Sequence, residues 1–474
     1  MIDFSDFKSC EQVFRFFEEI SSIPRGSGNC RGIADHLVRF AIDRELEYIL
    51  DEADNVIIKK PATSGYESRP TVIIQGHTDI VAEKLPGLDI DMRTEGLKLM
   101  RDGDHLYAEG TTLGADNGIA VAYMMALLDS KSIPHPAIEA VFTSDEEIGL
   151  IGAGKLDPSA LSGRILINVD SEEEGIFTVG CAGGVRTDMN FEVKREASPL
   201  PSYLLSVADL HGGHSGIEIA NGRENAIKLG IEILASMPDI RLVSFEGGKM
   251  DNAIPRAFSA VFASEADPRA DFEKASAEIL SRIKDIEPNA KISLSSAAPS
   301  ADALSKEDTA RIIGALSDTR SGVIKMSEDI KGLPESSENI GVAELSGSSA
   351  RVTVSVRSGK REGKATLVKS LSDIAEKYSA RFSTRGDYPA WEYKSESPLR
   401  DTAVRVYKKL FGKDPEVVII HAGLECGLFA DKLDGLDSIS VGPNMSGIHT
   451  TEERLSLSSS ERVWEFLLEV LKEI

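Results

Sequence analysis

Short apolar runs alternate with segments of helical periodicity up to about residue 190, a pattern typical of a sheet covered by helices. The segment Gly118–Leu128 is apolar on nearly every face, which predicts a buried helix with Asp116 and Asn117 as candidate N-caps. The pattern also predicts four strands, at Asn55–Lys59, Thr71–Gln75, Ala137–Thr143 and Arg164–Val169.

The pattern changes near Gly184, where strands and helices follow a βαββαβ-like order and then a weaker repeat of it. Although no residue-level repeat is visible, this order predicts an α+β domain of two ferredoxin-like halves at 187–388. The predicted strands are Val185–Val193, Tyr203–Ala208, Arg241–Glu246, Ala257–Phe262, Lys291–Ser295, Ser349–Val356 and Arg381–Thr384. The predicted helices are Glu224–Ser236, Asp271–Ile283, Lys306–Leu316 and Glu362–Tyr378.

Beyond Tyr388 the alternation of the first segment returns. A chain of 474 residues also exceeds what one hydrophobic core usually organises. We therefore expect an α/β domain formed by residues 1–186 and 389–474, interrupted by the inserted domain at 187–388. The predicted elements of the returning segment are helix Asp401–Leu410, strands Glu416–Ile420 and Asp437–Val441, and helix Ser459–Ile474.

Charge and composition narrow the possible partners. The net charge of −24, from 53 Lys and Arg against 77 Asp and Glu, argues against nucleic acid and anionic membranes as partners. The four cysteines are too few and too scattered for a disulfide framework and are interpreted as reduced thiols. The sequence shows neither a signal-peptide pattern nor a bilayer-length apolar stretch, which favours a cytoplasmic location.

His77 and Asp79 directly follow the strand predicted at Thr71–Gln75. Ligands bind at the carboxyl ends of strands in open α/β sheets. We expect the Asp79 carboxylate to accept the second ring N–H of His77, which would fix the tautomer of a metal-binding imidazole. Taken alone, this pattern favours a structural histidine.

Carboxylates occupy three comparable positions. Asp116 lies in a small-residue loop before the buried helix, Glu146 and Glu147 follow one apolar strand, and Asp170 follows the next. Adjacent anions repel one another unless they are exposed or neutralised, and a divalent cation is the strongest local neutraliser. Taken alone, Asp116 fits an N-cap better than a metal ligand, and the glutamate pair fits a solvated turn equally well.

A second histidine, His449, follows the strand predicted at Asp437–Val441. Together the loops supply imidazoles and carboxylates, a mixed nitrogen and oxygen set that suits zinc, cobalt or manganese. Within the glutamate pair, Glu147 is the candidate ligand, and Glu146 is the candidate acceptor of a proton from metal-bound water.

Five motifs in this order resemble the aminoacyl-histidine dipeptidases, which belong to the zinc-dependent peptidases with a lid domain. The motifs are His77-x-Asp79, Gly114-Ala-Asp116-Asn-Gly118, Asp145-Glu-Glu-x-Gly149, Asn168-Val-Asp170-Ser-Glu-Glu173 and Gly447-Ile-His449-Thr450. The resemblance covers essentially the whole chain. It implies a zinc-peptidase-like catalytic domain with a mixed sheet flanked by helices, and an inserted α+β lid between the fourth and fifth motifs.

The resemblance also implies a role for each residue. Asp116 would bridge two divalent metal ions, most simply zinc, with cobalt or manganese as alternatives. His77 and Asp170 would complete one site, and Glu147 and His449 the other. A hydroxide held between two such cations would attack the peptide carbonyl, with Glu146 as general base and acid.

The inserted domain has its own candidates. By resemblance, His214 rather than His211 would hydrogen-bond the oxyanion when the lid closes. Asn252 and Arg357 lie in segments that resemble substrate-orienting parts of the lid, and the Arg357 guanidinium would hold the terminal carboxylate of the substrate. Without the resemblance, a surface loop would be the favoured interpretation of the two histidines. Arg357 fits a surface position on a strand almost as well as it fits a substrate contact.

The motif His421-Ala-Gly-Leu-Glu425-Cys-Gly427 separates this branch from other lid-bearing relatives. A carboxylate at the pocket edge would bind a free α-amino group, so Glu425 is the candidate amine-binding residue. Ser446 and Gly447 are candidates for the opposite side of the cleft.

We therefore expect a dipeptidase that hydrolyses unblocked dipeptides, with Xaa-His among its substrates because of the family resemblance. One alternative is a deacylase or tripeptide aminopeptidase of the same metal class. Another is an inactive binding or scaffold protein, although all the ligands and the base are present. The expected partner is a small peptide, and a homodimer is an open possibility.

Overall fold

The computed structural model describes residues 2–328 and 330–474. The chain forms two compact units. The first unit comprises Met1–Gly180, Tyr393–Ile419 and Leu424–Ile474. The second comprises Cys181–Glu392 and Ile420–Gly423, so the short segment that carries His421 groups with the second unit.

The described chain contains eleven α-helices. They are α1 Glu11–Ser21, α2 Arg31–Asp43, α3 Ala115–Asp129, α4 Ile151–Lys155, α5 Ala226–Ser236, α6 Arg269–Ile283, α7 Lys306–Asp318, α8 Arg361–Lys377, α9 Pro398–Phe411, α10 Glu425–Lys432 and α11 Leu457–Glu473. Two single-turn 3-10 helices lie at Pro158–Ala160 and Ile219–Asn221. None of the helices in the described ranges is long and apolar enough to cross a membrane.

The strands fall into two large sheets and several small ones. In chain order they are β1 Glu47–Leu50, β2 Val56–Lys60, β3 Val72–His77, β4 Leu99–Asp102, β5 His105–Ala108, β6 Ile138–Thr143, β7 Ile165–Asn168, β8 Ile176–Cys181, β9 Gly183–Glu192, β10 Arg195–Ala197, β11 Ser202–Ala208, β12 Gly213–His214, β13 Arg241–Gly247, β14 Ala253–Ile254, β15 Phe258–Ala263, β16 Lys291–Ala297, β17 Asp302–Leu304, β18 Gly322–Met326, β19 Pro334–Ser346, β20 Ser349–Ser358, β21 Arg381–Tyr388, β22 Glu416–Ile420, β23 Asp437–Ser440, β24 Met445–Ser446 and β25 Arg454–Ser456.

The first unit is built on an eight-stranded mixed sheet in the order β1-β2-β6-β3-β7-β23-β8-β22. Its four central strands, β6, β3, β7 and β23, run parallel, whereas β1, β2 and β8 pair antiparallel with their neighbours. The parallel strands are largely buried, and apolar residues dominate β3, β6 and β7, as expected for strands covered on both faces. The predicted mixed sheet flanked by helices is confirmed.

Helix α3 is buried along almost its whole length, as its uniformly apolar sequence predicts. Its side chains join a core that includes α1, α2 and α11. On this core, Tyr123 stacks on Trp464 and donates its hydroxyl to the Ser460 carbonyl at 2.7 Å. The same core therefore fixes the start of α3, where Asp116 lies.

The second unit is built on one nine-stranded sheet that contains two ferredoxin-like halves. The first half has the strand order β16-β11-β15-β13, and the second half β19-β20-β9-β21. They join side by side through the antiparallel pair β13 and β19. Strand β9 opens the second half although it precedes the whole first half in the chain, so the halves are nested rather than consecutive.

Strand β19 was not predicted, although eight of its residues in succession are buried. Its sequence, PESSENIGVAELS, has no apolar alternation in the first half. The buried polar side chains there have partners: Glu338 pairs with Arg320 at 3.2 Å, and Asn339 donates to the Ala253 carbonyl at 2.9 Å. Hydropathy patterns miss such a strand because its inward positions are polar and hydrogen-bonded.

Candidate metal centre and associated residues

Four of the predicted ligand residues lie at or beyond the ends of parallel strands at one edge of the first unit's sheet, and the fifth, Asp116, lies at the start of α3. Residue His77 ends β3 and lies opposite Thr143, the end of β6, while Gln75 lies opposite Asn168, the end of β7. Strand β23 ends at Ser440, also opposite Asn168. The loops that leave these strands therefore start at one edge, where the structure brings five predicted ligands and Glu146 together.

Asp116 lies between the two histidines and offers one oxygen to each. Its Oδ1 lies 3.1 Å from Nε2 of His77, and its Oδ2 lies 3.1 Å from Nε2 of His449. Asp170 Oδ1 lies 3.5 Å from the same nitrogen of His77, and Glu147 Oε1 lies 2.9 Å from that of His449. The cluster therefore has two halves that share one carboxylate.

Three groups of described residues place ligand atoms close enough to hold a metal ion. They are His77, Asp116 and Asp170; Asp116, Glu147 and His449; and His77, Glu146 and Glu147. The first two match the predicted half-sites. The third shows that the Glu146 carboxylate also lies within reach of the same centre.

The start of α3 differs from the prediction that Asp116 is an N-cap. Gly114 occupies the cap position with φ +67°, so the cap residue has no side chain that could cap the helix. A Cβ at Gly114 would lie 2.6 Å from Ile80 Cγ2, so both the conformation and the space require glycine. Asp116 itself has non-helical backbone angles, and its carboxylate faces the histidines instead of the helix N–H groups.

Asp79 also differs from the prediction. The Nδ1 atom of His77 hydrogen-bonds the main-chain carbonyl of Asp79 at 3.0 Å, and the carboxylate lies farther away, at 3.6 Å. That carboxylate instead accepts the N–H groups of Glu146 at 2.9 Å and Glu147 at 3.3 Å, and the Ser27 hydroxyl at 2.8 Å. Asp79 therefore holds the glutamate loop, while its backbone orients His77.

The cluster carries opposing charges at short range. Hydrogen bonds to Asp116 and Glu147 raise the pKa of His449 to about 10. Burial alone lowers the pKa of His77, but the neighbouring carboxylates outweigh it and raise that pKa well above its usual value. Burial raises the pKa of Asp170 to about 6 and that of Glu146 well above its usual value.

These pKa values shift because four carboxylates and two imidazoles are crowded together in a largely buried site. A divalent cation neutralises such a set better than protons do, and imidazole and carboxylate ligands suit zinc and related ions. The donor set therefore fits a metal centre.

Glu425, the candidate amine-binding residue, begins α10 and is fully buried. Its Oε2 accepts hydrogen bonds from Gln75 at 2.5 Å and Thr143 at 2.7 Å, because α10 aims its first side chain at the sheet. Among the described residues, Oε1 has no hydrogen-bond partner, and burial raises the pKa of Glu425 to about 7.

Ser446 and Gly447 lie on the turn that leads to His449. Gly447 has φ +61, and its carbonyl accepts the Thr450 hydroxyl at 2.6 Å. A Cβ at Gly447 would lie 2.7 Å from the Glu452 carbonyl oxygen. This glycine therefore shapes the His449 turn, and Ser446 is exposed beside it.

In the second unit, His214 lies on the short strand β12, and Asn252 directly precedes its partner strand β14. His214 on β12 pairs with Ala253 of β14, and the Asn252 carbonyl accepts the Ser215 N–H at 2.8 Å. The Nδ1 atom of His214 accepts the N–H groups of Gly216 and Ile217 at 3.3 and 3.2 Å. The neutral ring therefore carries its proton on Nε2, and burial followed by the charge of Arg357 lowers the pKa of His214.

Arg357 is a buried residue of β20 and not a surface arginine. Its Nη1 donates to the Tyr388 hydroxyl at 2.9 Å, and its Nε has no hydrogen-bond partner among the described residues. His421 is also buried; its Nε2 lies 2.8 Å from the Ser337 hydroxyl, and burial lowers its pKa to about 4. Apart from the motif that contains it, no sequence pattern singles out His421.

Arg25 and Glu453 belong to the loops of the first unit's cluster but were not predicted. Arg25 donates to the carbonyls of Thr78 and Gly114, next to two ligand loops. The Glu453 carboxylate accepts backbone N–H groups of the loop that carries Asp116. A charged residue close to a ligand histidine is a weak signal, because most such residues are solvated.

Comparisons with known proteins identify the family of the chain. Residues 73–473 match the family described as Peptidase family M20/M25/M40. The chain is 37% identical to the cytosol non-specific dipeptidase of Escherichia coli (strain K12), over 98% of each chain. It is 35% identical to the aminoacylhistidine dipeptidase of Vibrio alginolyticus, whose crystal structure matches with a TM-score of 0.91 over 98% of this chain and 96% of that one.

A tripeptidase from Staphylococcus aureus matches with a TM-score of 0.58 at 18% identity, over 98% of both chains, and supports the fold alone. The resemblance to the aminoacyl-histidine dipeptidases is confirmed by the two more similar relatives. Since the family match spans most of the chain and one relative is similar along its whole length, the chain is an enzyme that belongs to Peptidase family M20/M25/M40.

Proposed function

We propose that the chain is a metal-dependent dipeptidase that hydrolyses unblocked dipeptides, including Xaa-His. The observation that carries the proposal is the placement of Asp116, whose two oxygens each lie 3.1 Å from a different imidazole. A carboxylate shared in this way suits two cations side by side. The names of the two similar relatives support the substrate class.

Two divalent ions, most simply zinc, would be held by the two halves of the cluster. Asp116 would be shared, with His77 and Asp170 on one side and Glu147 and His449 on the other. When bound, such ions activate water and polarise the scissile carbonyl. Cobalt and manganese suit the same ligands.

Glu146 is the proposed proton carrier. Its backbone is fixed by Asp79, and its carboxylate lies within reach of His77 and Glu147. Burial raises its pKa well above the usual value, which makes the carboxylate a better base near neutral pH. It would take a proton from the attacking water and return it to the leaving amine nitrogen.

We propose that the second unit is a lid that contributes to substrate binding. The proton on His214 Nε2 is available to hydrogen-bond a developing oxyanion, because Nδ1 is already occupied. The Arg357 guanidinium suits the terminal carboxylate of a dipeptide, and Asn252 lies beside His214. Ser446 and Gly447 would line the cleft near His449.

The amine-binding role of Glu425 is a more specific part of the proposal. Only its Oε1 is without a hydrogen-bond partner among the described residues, so that oxygen is the one proposed to face the substrate amine. The test compares kcat/KM for an unblocked dipeptide, its N-acetyl form and the matching tripeptide, each with zinc-loaded protein. Preference for the unblocked dipeptide is expected, and Glu425→Gln should reduce that preference.

The other outcomes separate the alternatives. Preference for the N-acetyl form would indicate a deacylase, and preference for the tripeptide would indicate a tripeptide aminopeptidase. Absence of turnover with all three would favour a binding or scaffold protein. The relative's name supports a cytoplasmic location. A homodimer stays a prediction that sedimentation of the full chain can test.

A further inference from the structure

A buried arginine connects two loops of the candidate metal centre. Arg25 lies in the loop between α1 and α2 and is 1% exposed. Its Nη1 donates to the carbonyl of Thr78 at 2.9 Å, directly after His77, and its Nη2 donates to the carbonyl of Gly114 at 2.8 Å. One planar guanidinium therefore fixes the distance between the His77 and Asp116 loops.

A buried carboxylate connects the Asp116 loop to a third loop. Glu453 Oε2 accepts the N–H groups of Leu113 at 2.7 Å and Gly114 at 2.9 Å. Its Oε1 accepts those of Ala115 at 2.8 Å and Asp116 at 3.4 Å. Glu453 belongs to the turn that begins at His449, and its own N–H donates to the Thr450 carbonyl at 3.2 Å.

Two glycines at the start of α3 leave room for the Arg25 guanidinium. A Cβ added to Gly118 would lie 2.4 Å from Arg25 Nη2, and one added to Gly114 would lie 3.0 Å from it. Four successive N–H groups, from Leu113 to Asp116, face one carboxylate, an arrangement that backbone turns seldom provide without an anion. Here the chain supplies that anion itself.

We propose that Arg25 and Glu453 are positioning residues, which together clamp the loops of His77, Asp116 and His449 and so set the affinity of the centre for metal. Neither side chain is a proposed ligand. They act through the backbone that presents the ligands, in the way that outer partners orient metal-binding side chains. The proposal rests on the metal centre of the proposed function but not on its substrate.

The test compares Glu453→Gln with Glu139→Gln in the full chain. Glu139 is also a buried carboxylate of the first unit, and it accepts the N–H groups of Ser162 at 3.0 Å and Gly163 at 3.0 Å. It lies near the start of β6, whereas the ligand loop follows the end of that strand. Both variants remove a buried charge that holds a loop, but only Glu453 holds a ligand loop.

Zinc affinity is measured by competition with a chromophoric chelator, and amide hydrogen exchange is measured on the metal-free proteins. We expect Glu453→Gln to weaken zinc binding by about tenfold to a hundredfold, the range found for other outer partners of metal ligands. The amides of Leu113 to Ala115 should also exchange faster. Glu139→Gln should lower the unfolding temperature similarly while leaving zinc affinity and these amides unchanged.

Native zinc affinity in Glu453→Gln would overturn the proposal, as would an equal loss in Glu139→Gln. If Glu453→Gln does not fold, Arg25→Lys decides, since lysine keeps the charge but lacks the fork that holds two carbonyls. It should weaken zinc binding too, and native affinity would overturn the clamp. Zinc binding without dipeptide hydrolysis would overturn only the proposed function, whereas absence of zinc binding in the native chain would overturn both.

Discussion

The candidate site histidines of the two units are surrounded by opposite charges. In the first unit, carboxylates raise the pKa of His449 to about 10 and that of His77 well above its usual value. In the second, burial and the charge of Arg357 lower the pKa of His214, and they lower that of His421 to about 4. The same side chain is thus made cationic in one unit and neutral in the other.

This difference separates two kinds of chemistry. An imidazole among carboxylates is suited to bind a cation in place of its proton. A neutral imidazole beside a guanidinium is suited to donate a hydrogen bond to an anion, such as a developing oxyanion or a terminal carboxylate. The acidic cluster is therefore interpreted as the metal centre, and the residues around Arg357 as groups that bind anionic parts of the substrate.

The largest expected effect concerns the two adjacent glutamates of the acidic cluster. Glu146→Gln should lower kcat by about a hundredfold to ten-thousandfold, because the proton carrier is lost, while the metal content stays native. Glu147→Gln should lower the metal content, because a ligand is lost. Steady-state kinetics and metal analysis of the purified variants check both results.

Glu47→Gln is the control, since Glu47 is exposed on β1. It should match the native chain in both measurements. Substantial turnover by Glu146→Gln would show that another group carries the proton. Loss of metal from Glu146→Gln would show that Glu146 is a metal ligand.

The next effect concerns the second unit. His214→Ala should lower kcat by about a hundredfold to a thousandfold, as found when an oxyanion donor is removed, with native metal content. His211→Ala is the matched control, because His211 is bound to Glu287 at 2.7 Å and its side chain is 47% exposed. Equal loss in both variants would remove the distinction between the two histidines.

The smallest effect concerns stability and pH. The pKa of His421 is about 4 in the folded chain, below its usual 6.5, so protons bind the unfolded state more tightly than the folded state. The stability that neutral His421 contributes is therefore lost as pH falls from 6.5 toward 4. Between pH 7 and 5 the native chain should lose about 2 kcal/mol more unfolding free energy than His421→Asn. Urea unfolding at both pH values measures this difference.

His105→Asn is the control for that experiment, since His105 is exposed. Its pH dependence should follow that of the native chain. Identical pH dependence of the native chain and His421→Asn would show that His421 does not stay neutral.

Most metal-centre residues were accessible from the sequence because they lie at or just after the end of a largely apolar strand, whereas Asp116 lies at the start of α3. Parallel strands bring their carboxyl ends to one edge, so a polar residue after each strand predicts a shared site. Residues His77, Asp170 and the pair Glu146 and Glu147 all follow this rule. The βαββαβ order likewise predicted the ferredoxin-like halves of the second unit.

Other features depend on contacts between distant segments and leave little local signal. The sequence places Glu425 at a pocket edge, but it does not reveal that Gln75 and Thr143 hold one of its carboxylate oxygens. Glu453 resembles any solvated acid near a turn, and only the fold reveals the N–H groups that it accepts. Strand β19 was missed because the buried side chains of its first half are mostly polar. In each case the deciding contacts join segments that are distant in the sequence, and hydropathy periodicity does not record such contacts.

The central claim is a metal centre shared through Asp116, and metal removal tests it most directly. The protein is treated with a chelator, assayed on an unblocked dipeptide, and assayed again after zinc is added back, with metal content measured at each stage. Activity should disappear with the metal and return as about two ions bind per chain. Unchanged hydrolysis by the metal-free protein would contradict the account.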